Sequence, residues 1–424
     1  MKRNNNLLLL TLFLLTAVLL GGCQKKDFDY VNTTVPAPAV TVPWANSGAF
    51  TYTPTEDGVG NVINWAYLSG ASDIFPSGND LYFYGHYQAV RYDPETGRQT
   101  FLCTDPVCDH IGDCPLYLMQ DNFQIAGDKV VFYQTSQDGG ESVTEVMVYS
   151  MTDRTKKVLR TIEGNGYVAS MVAVEDSYFF YDWVQDEETN RHTYSLCRQY
   201  YDSGKIEVLD TGDSLAAIQS VVGADGEQIY LYDYAASALI ACSLKDMTEL
   251  SRVEIGSESV ALCKDGYLIY LVEGELFRIN LDGSDRKSLE IRDVDSFYLT
   301  DSYLYYQKVE GKRTGIQHDA HYGDIETEAK LQTVYRADHN GKNTEVIWKN
   351  ENGNTVIEIN QFVVQGNYLY SSFSYYQFDG DSVTVEGSQT MGNGRSPFYC
   401  RIDCTTGEIY YIEMEKLSFS QPTF

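Results

Sequence analysis

Basic residues are scarce in this sequence. Its 424 residues include 31 Lys and Arg against 60 Asp and Glu, which gives a formal net charge of -29. No basic run interrupts this acidic balance, and a chain of this kind is repelled by phosphate backbones and by anionic lipid headgroups. We therefore expect no nucleic-acid partner.

Motifs of common catalytic sites are also missing from the sequence. It contains no G-x-S-x-G nucleophile turn, no H-E-x-x-H metal-binding pair and no G-x-x-x-x-G-K-[ST] phosphate loop. Acidic residues are so frequent that a carboxylate pair suited to glycoside hydrolysis cannot be chosen without geometry. We identify no catalytic residue from the sequence, and an enzymatic role is the less favoured interpretation.

Only one long apolar run is present, from Leu7 to Leu20, and two basic residues precede it. It is shorter than the roughly 20 apolar residues that a transmembrane helix needs. The run ends in small residues before Cys23, and this pattern resembles a bacterial lipobox. The resemblance implies that residues 1–22 are a cleaved signal peptide, that Cys23 carries lipid, and that the protein lies on the extracytoplasmic side of the cell envelope. A plain secretory signal is the alternative.

The residues after Cys23 have the composition of a tether. Three prolines, Pro36, Pro38 and Pro43, lie among Thr, Val and Asn, and they disfavour both helix and strand. We therefore expect a flexible tether over 23–45. The remainder, 46–424, has enough apolar residues to fold, because the whole sequence is 43% hydrophobic and only 21% charged. It is predicted to form a single domain.

A short apolar strand core recurs seven times in that domain, usually after an Asp, Asn or Gly turn. The cores are centred on Tyr82, Val131, Phe179, Tyr230, Ile269, Tyr305 and Tyr370, and their average separation is 48 residues. A second apolar strand follows each core and ends in a tight turn, as at Asp93 before Gly97 and at Asn280 before Gly283. Such turns join antiparallel strands, and no helical period interrupts them. The period suits a four-stranded blade.

The sequence therefore predicts an all-β fold, a β-propeller of four-stranded antiparallel blades. Seven blades are the most consistent count. Eight would result if 46–75 supplied a further sheet, and six if one unit were degenerate. The repeats resemble those of bacterial surface lipoproteins with TolB-like or LDL-receptor-like β-propeller domains. This resemblance covers about 70–415 and implies a fold but no particular activity, because propellers support many functions.

Most of the nine cysteines have a simple interpretation from the repeat. Cys197, Cys242 and Cys400 occupy strand positions that other blades fill with Val, Phe or Tyr, so we expect them to pack as small apolar side chains. Cys263 lies on an inner strand and has the same interpretation. Cys404 falls at a hairpin, where we expect it to be exposed.

Four residues between the first two blades could bind a metal. Cys103, Cys108, His110 and Cys114 lie within twelve residues, and three thiolates with one imidazole can complete a tetrahedron around Zn²⁺. The spacing does not match a standard zinc finger, and exported proteins often oxidise neighbouring cysteines. A structural zinc is thus one interpretation, and a disulfide or a reduced loop is the other. The sequence establishes no cofactor with certainty beyond this candidate zinc.

Two long insertions, Lys308–Lys330 in blade 6 and Ser374–Arg395 in blade 7, are predicted to be irregular loops. The strand order of a propeller places both on the face that also carries the link from blade 1 to blade 2. Blades 6, 7 and 1 become neighbours when the ring closes, so these segments should meet in one sector. Loops of this length are often functional.

Each insertion contains residues suited to binding. The first holds His318, Asp319, His321 and Asp324, which could bind a divalent metal or act as acid and base, although a solvated polar loop would look the same. The second holds aromatic residues that could stack on sugars or peptides, although strand residues entering the loop would also look the same. These are Tyr375, Tyr376 and Phe378.

Three functions are compatible with these features. The favoured one is a lipid-anchored module that binds an extracellular protein, peptide or glycan through the face that carries the two insertions, and that contacts the membrane only through its N-terminal lipid. The second is a hydrolase or lyase that acts on an extracellular polymer through the blade 6 insertion. The third is a structural module of an envelope complex.

Overall fold

A computed structural model describes most of the domain and none of the N-terminal 61 residues. The described residues are 62–64, 74–77, 80–85, 88–103, 114, 116, 123–138, 141–163, 168–186, 191–211, 219–225, 227–257, 259–263, 265–319, 323–350, 353–387 and 398–412. All of them belong to one compact unit, Trp44–Phe424. The predicted signal peptide, the lipid site at Cys23 and the whole predicted tether, 23–45, lie outside the described residues.

The described residues form thirty β-strands and no helix. Twenty-eight of the strands form seven consecutive groups of four, and each group is a blade. Blade 1 consists of β2 Ile74–Ser77, β3 Asp80–Gly85, β4 Gln88–Tyr92 and β5 Gln99–Phe101, and blade 2 of β6 Phe123–Ala126, β7 Lys129–Asp138, β8 Glu141–Ser150 and β9 Thr155–Glu163. Blade 3 consists of β10 Val168–Ala173, β11 Ser177–Asp186, β12 Arg191–Tyr200 and β13 Ile206–Thr211, and blade 4 of β14 Gln219–Ala224, β15 Gln228–Asp233, β16 Ala238–Ser243 and β17 Glu249–Glu254.

Blade 5 consists of β18 Val260–Cys263, β19 Tyr267–Val272, β20 Glu275–Asn280 and β21 Lys287–Ser288. Blade 6 consists of β22 Val294–Leu299, β23 Leu304–Asp319, β24 Gly323–Ala337 and β25 Glu345–Lys349, and blade 7 of β26 Thr355–Gln365, β27 Tyr368–Asp379, β29 Phe398–Asp403 and β30 Ile409–Ile412. The two further strands are β1 Val62–Asn64 and β28 Ser382–Gly387. Within the described residues, the prediction of an all-β propeller of four-stranded antiparallel blades is confirmed; five blades are separate sheets, and the strands assigned to blades 6 and 7 belong to one nine-stranded sheet linked by β28.

The apolar runs of the second strands reflect burial on both faces of each blade. Successive side chains of a strand point to opposite faces of the sheet. In β15, Tyr230 and Tyr232 pack in a cluster shared with blade 5, whereas Ile229 and Leu231 pack in a cluster shared with blade 3. Every residue of this strand after the first is buried. A blade between two neighbours therefore needs nearly continuous apolar sequence, which is the repeat seen in the sequence.

The ring closes by packing between the last blade and the first. The ring of Phe83 in blade 1 lies 4.7 Å from that of Tyr399 in blade 7, and Tyr92 lies 5.9 Å from Tyr370, both edge to face. An Arg401 guanidinium nitrogen also donates a hydrogen bond to the Tyr92 hydroxyl at 2.9 Å. No described strand of one of these blades joins the sheet of the other. Side-chain packing, rather than a shared sheet, therefore joins the two ends.

Strand β1 lies at the inner edge of blade 5. It pairs antiparallel with β18, so that Val62 faces Cys263 and Asn64 faces Ala261. This contact gives blade 5 a fifth strand. The part of 46–75 that the structure describes therefore contributes to blades 5 and 1 and does not form an eighth blade. In the described part of the chain, no helix has the length and apolar character needed to cross a bilayer.

Candidate functional site

One face of the propeller carries all the hairpins that join second strands to third strands. Because the blades repeat in one orientation, these hairpins turn on the same face, which we call the hairpin face. Both strands of this hairpin have six residues in blades 4 and 5, but ten in blades 2 and 3. In blade 6 they have 16 and 15 residues. The hairpin face thus projects most strongly at blade 6.

Where the structure describes them, the two predicted loop insertions are paired strands rather than irregular loops, and this corrects the expectation. Strands β23 and β24 continue through the blade 6 insertion as a regular hairpin, paired from Leu304–Ala337 out to Asp319–Gly323. In blade 7, β27 continues to Asp379 and β28 returns beside it. The two insertions were expected to meet, and they do, through a parallel bridge between Ile316 and Ser382. We call the resulting sheet, in the order β24, β23, β28, β27, β26, the arm; it comprises 311–319, 323–331, 353–359, 373–379 and 382–387.

The arm has a small apolar core of its own. Ala329 of β24, Val356 of β26, Tyr376 of β27 and Val383 of β28 are buried in one cluster. Gly315 of β23 faces the same cluster, and a Cβ at this position would lie 3.0 Å from the Val383 Cβ. A side chain at position 315 would therefore crowd Val383 and Phe378 where β23 passes β28. The sequence pattern gave no sign of this core because its members come from four separate strands.

Polar side chains close the gap between the two edges of the arm. Gln332 of β24 donates from Nε2 to the Ile359 carbonyl at 3.0 Å, and the Ile359 N–H donates to Gln332 Oε1 at 2.9 Å. The backbone N–H of Lys330 donates to a Glu358 carboxylate oxygen at 3.1 Å. Asn350 pairs in both directions with the backbone of Ile357, at 2.7 and 3.2 Å. These contacts hold β24 beside β26, so the arm is a rigid projection.

A histidine and an aspartate pair at the end of the arm. His318 Nδ1 lies 2.6 Å from Asp324 Oδ1, and the two residues face each other across the hairpin. Both side chains are well exposed, at 65% and 70%. Asp319 is the last residue of β23, and His321 lies outside the described residues. The carboxylate can orient the imidazole, but water surrounds both groups, and such exposure does not favour a strongly activated base.

The three aromatic residues of the blade 7 insertion are buried, which corrects their interpretation as an exposed stacking surface. Tyr375, Tyr376 and Phe378 retain 3%, 0% and 2% of their exposure. The guanidinium of Arg313 lies 4.2 Å from the centre of the Phe378 ring and also donates to the Gly353 carbonyl. These aromatics stabilise the arm from inside, as strand residues do. Binding by the arm must therefore use other side chains.

Two members of the predicted metal cluster are described, and both are buried. Cys103 and Cys114 are 4% and 6% exposed, and they pack in a cluster with Tyr82, Leu102 and Phe123 between blades 1 and 2. The other two predicted ligands, Cys108 and His110, lie outside the described residues. Among the described residues, no group of three or more His, Cys, Asp or Glu side chains could hold a metal ion. Zinc binding at 103–114 remains a prediction.

The other cysteines pack in the blades. Cys197, Cys242, Cys263 and Cys400 are buried, in agreement with the interpretation from the repeat. Cys404 was expected to be exposed, but this expectation is wrong, because only 5% of it is exposed. Its backbone N–H donates to the Asn367 carbonyl at 2.8 Å, so the turn folds inward. Burial raises the pKa of the Cys404 thiol to about 12, which makes a nucleophilic role unfavourable.

A polar cluster on the opposite face was not found from the sequence. His339 follows β24, and its Nε2 lies 2.9 Å from the Thr300 carbonyl. This carbonyl can only accept, so Nε2 carries the proton and Nδ1 accepts a hydrogen bond from the Tyr267 hydroxyl. The Arg278 guanidinium lies 3.8 Å from the centre of the Tyr267 ring. Tyr267 and Arg278 belong to blade 5 and His339 to blade 6, so spacing along the chain gave no signal.

This cluster joins two blades and has little exposed surface. Tyr267 is only 9% exposed, and burial lowers the pKa of His339 from its usual value. Both imidazole nitrogens already have hydrogen-bond partners. The cluster is therefore explained as a contact between blades 5 and 6.

No protein-family model matches the chain, and no curated protein matches it. Similar solved structures include Porphyromonas gingivalis dipeptidyl peptidase 4, with 9% identity and a TM-score of 0.40. The alignment covers 79% of this chain and 64% of that protein, which is less than two thirds of its length. The β-propeller domain of the Trilobed protease from Pyrococcus furiosus has 10% identity and a TM-score of 0.38, with 72% of this chain and 97% of that one covered. Oligogalacturonate lyase from Vibrio parahaemolyticus has 11% identity and a TM-score of 0.28, with 82% and 78% covered. The fold described above rests on the sheet topology of this chain itself.

Proposed function

We propose that this protein is a lipid-anchored extracytoplasmic β-propeller that binds a protein, peptide or glycan through its hairpin face, and that the arm supplies the main contact. The observation that supports this proposal is the arm itself. It has its own core, and a polar seam joins its edge strands. The three contacts between blades 7 and 1 described above involve residues outside it.

A rigid projection of this kind is suited to recognition. A preorganised surface loses little conformational entropy when a partner binds, so more of the contact energy contributes to affinity. The strand β24 offers such a surface, because Asp324, Glu326 and Glu328 are exposed along it and Ile325 is 38% exposed. The three carboxylates share one face of the strand and suit a polar partner that carries hydroxyl or basic groups, whereas Ile325 points to the other face.

Lipid attachment at Cys23 would hold this domain near a membrane through the tether 23–45. The proposal predicts that the wild-type protein incorporates a labelled fatty acid in a bacterial host and sediments with membranes. A Cys23→Ser variant should lose the label. Incorporation of label by the variant would reject Cys23 as the attachment site.

Binding is best tested with the soluble mature chain on glycan and peptide arrays, followed by calorimetry on the strongest ligand. We expect the triple variant Asp324→Lys, Glu326→Lys, Glu328→Lys to lose at least about tenfold in affinity, because one charge-assisted hydrogen bond is worth roughly 1.5–3 kcal/mol. A matched control reverses three exposed carboxylates on the opposite face, with the same change in net charge; these are Glu95, Asp202 and Glu227. Equal affinity of the arm variant and the wild type would reject the arm as the binding site.

The hydrolase or lyase alternative has one observation in its favour, the 2.6 Å pair of His318 and Asp324. If the protein turns over an array polysaccharide or peptide, and His318→Ala with His321→Ala abolishes turnover but not binding, the enzyme interpretation replaces the binding one. A protein that binds no soluble ligand but forms a stable envelope complex would instead have the structural role.

A further inference from the structure

Blade 4 presents an aromatic side chain at its tip on the hairpin face. Tyr234 is 38% exposed there, and an exposed tyrosine usually has free rotamers. Its hydroxyl pairs with the hydroxyl of Ser220 at 3.1 Å, and its ring meets the Tyr232 ring edge to face at 5.0 Å. The Asp233 carboxylate also accepts the next two backbone N–H groups of the tip, at 3.0 and 3.1 Å. The ring of Tyr234 is therefore held in place before any ligand binds, so little order is lost on binding.

Tyr234 lies on the side of blade 4 that faces blade 5. Tyr232, which it contacts, is buried in the cluster shared with blade 5, and Ser220 faces Tyr232 across the sheet. The hairpin of blade 5 is short, and Glu273 is exposed at its tip. Tyr234 therefore borders the space above the blade 5 hairpin.

Blade 6 forms the opposite side of this space. The Val294 N–H donates to the Gly274 carbonyl of the blade 5 tip at 2.9 Å, and Val294 faces Lys308 in the sheet, so Lys308 lies at the level of that tip. Lys308 also lies over the ring of Tyr306, which is buried in the cluster shared with blade 5. From this level β23 and β24 continue into the arm. We call the space above the blade 5 hairpin, between Tyr234 and Lys308, the recess.

Polar groups of both kinds lie on the blade 6 side of the recess. Glu310 accepts a hydrogen bond from the Tyr335 hydroxyl and pairs with Lys349 at 3.1 Å. Above it, the three carboxylates of β24 lie on the face away from blade 7, because Ala329 and Leu331 on the other face pack with blade 7 strands. Ammonium groups that donate and carboxylates that accept suit a ligand rich in hydroxyl groups. The net charge of -29 disfavours an anionic one.

We propose that the recess binds a neutral glycan and that Tyr234 stacks on one of its sugar rings. This inference rests on the proposed binding function of the hairpin face and names its class of ligand. A pyranose has C–H groups on its faces and hydroxyl groups around its rim. The electron-rich face of the tyrosine ring attracts the C–H groups, while the polar groups of blade 6 bind the hydroxyls. The stacking residue thus lies in blade 4 rather than in the blade 7 insertion.

The test is calorimetry of the soluble mature chain with cellohexaose, mannohexaose and xylohexaose, which are neutral, and with the anionic hexagalacturonate. We expect a neutral hexasaccharide to bind and hexagalacturonate to bind more weakly. Tyr234→Ala should lower the affinity for the neutral ligand roughly tenfold or more, because the stacking is lost. Tyr234→Phe keeps the ring and should stay within about threefold, the effect of one weak hydrogen bond. Tyr303→Ala is the matched control and should bind as the wild type does, because Tyr303 is 37% exposed on the opposite face.

The inference is overturned if none of the neutral hexasaccharides binds, if hexagalacturonate binds equally well, or if Tyr234→Ala binds as the wild type does. An equal loss in Tyr303→Ala, or a peptide ligand that requires Tyr234, would also overturn it. The arm variant Asp324→Lys, Glu326→Lys, Glu328→Lys separates this inference from the proposed function. If only the arm variant loses binding, the arm remains the site and the recess is rejected. If only Tyr234→Ala loses binding, the recess is retained and the arm is rejected as the main contact.

Discussion

The side-chain amide of Gln332 pairs with the backbone of Ile359 as a strand residue would, donating to its carbonyl at 3.0 Å and accepting from its N–H at 2.9 Å. A primary amide has the same donor and acceptor as a peptide group, so it can continue a hydrogen-bond ladder across a gap between blades. Gln124 does the same between blades 2 and 3, with the Met171 carbonyl at 2.6 Å and the Ala173 N–H at 2.7 Å.

Replacement of Gln332 should therefore destabilise the junction of blades 6 and 7. Gln332 is 1% exposed, and in Gln332→Leu the Ile359 N–H loses its partner without gaining water, while the Ile359 carbonyl keeps only a 3.4 Å hydrogen bond from Gln307 Nε2. We expect the free energy of unfolding to fall by about 2 kcal/mol or more, because leaving a buried polar group unsatisfied costs roughly 1–3 kcal/mol. Urea denaturation monitored by tryptophan fluorescence measures the change.

The control for this prediction is Gln228→Leu, at a partly exposed strand position of blade 4. It should change the free energy of unfolding by no more than about 0.5 kcal/mol, as most surface substitutions do. If both leucine variants destabilise the protein equally, the amide ladder does not contribute beyond the general effect of the substitution.

Gly407 should tolerate no side chain, because its turn packs against the preceding blade. It has a φ of +72°, and a Cβ there would lie 2.6 Å from the Ile347 carbonyl oxygen of blade 6. Gly204 has a similar φ of +67° but nothing within 4 Å of a Cβ. Comparing substitutions at Gly204 and Gly407 therefore separates the cost of backbone strain from the cost of steric conflict.

We expect Gly204→Ala to lower the free energy of unfolding by about 1–2 kcal/mol, the usual cost of a left-handed alanine. Gly407→Ala should lower it by at least about 1 kcal/mol more, since an overpacked interior costs roughly 1–3 kcal/mol. Equal losses in parallel urea titrations would show that the turn of blade 7 does not press on blade 6.

The bond between Arg401 and Tyr92 should contribute measurably to ring closure. In Tyr92→Phe the aromatic contacts with Phe83 and Tyr370 remain, but the hydroxyl that accepts from Arg401 is lost. The free energy of unfolding should fall by about 1 kcal/mol, the typical net value of an internal hydrogen bond or somewhat more for a charged donor. Tyr410→Phe is the control, because the Tyr410 hydroxyl donates to Glu408 at the surface and its loss should have little effect. A larger effect at Tyr410 would contradict this account of the closure.

The blades could be predicted from the sequence, whereas the arm could not. Each second strand packs against two neighbouring blades, so its local sequence must be continuously apolar, as at 229–232. This apolar pattern can be recognised in the sequence without knowledge of the contacts. The arm depends on pairs such as Ile316 with Ser382, which are distant in the sequence. Its strands carry exposed charges on one side, and they therefore resemble solvated loops.

The same reasoning explains why the exposure of some side chains was predicted wrongly. Tyr375 and Phe378 look alike whether a segment is a surface loop or a strand, and only the partner strand β28 decides that they are buried. Cys404 looked exposed because tight turns usually are, but its backbone N–H donates to Asn367 in the turn between the first two strands of its blade, and the residue is buried. The backbone N–H of Tyr201 and that of Leu244 make the equivalent contacts in blades 3 and 4.

The junction of blades 5 and 6 should be sensitive to mild acid through His339. Burial lowers the pKa of this imidazole below 6.5, and the charge of Arg278 acts in the same direction, against the opposing effect of the Thr300 carbonyl. The folded protein thus binds a proton at His339 less readily than the unfolded chain does. The stability that His339 contributes is therefore fully present above pH 6.5 and is lost as the pH falls through the lowered pKa.

The variant His339→Gln keeps a donor for Thr300 and an acceptor for Tyr267 but does not titrate. We expect the free energy of unfolding of the wild type to fall more steeply than that of this variant between pH 7.5 and pH 5, when both are measured by urea denaturation at constant ionic strength. The carboxylates of the two proteins are identical, so their contribution cancels in the difference. Parallel curves for the two proteins would mean that His339 keeps the same proton affinity in the folded and unfolded states.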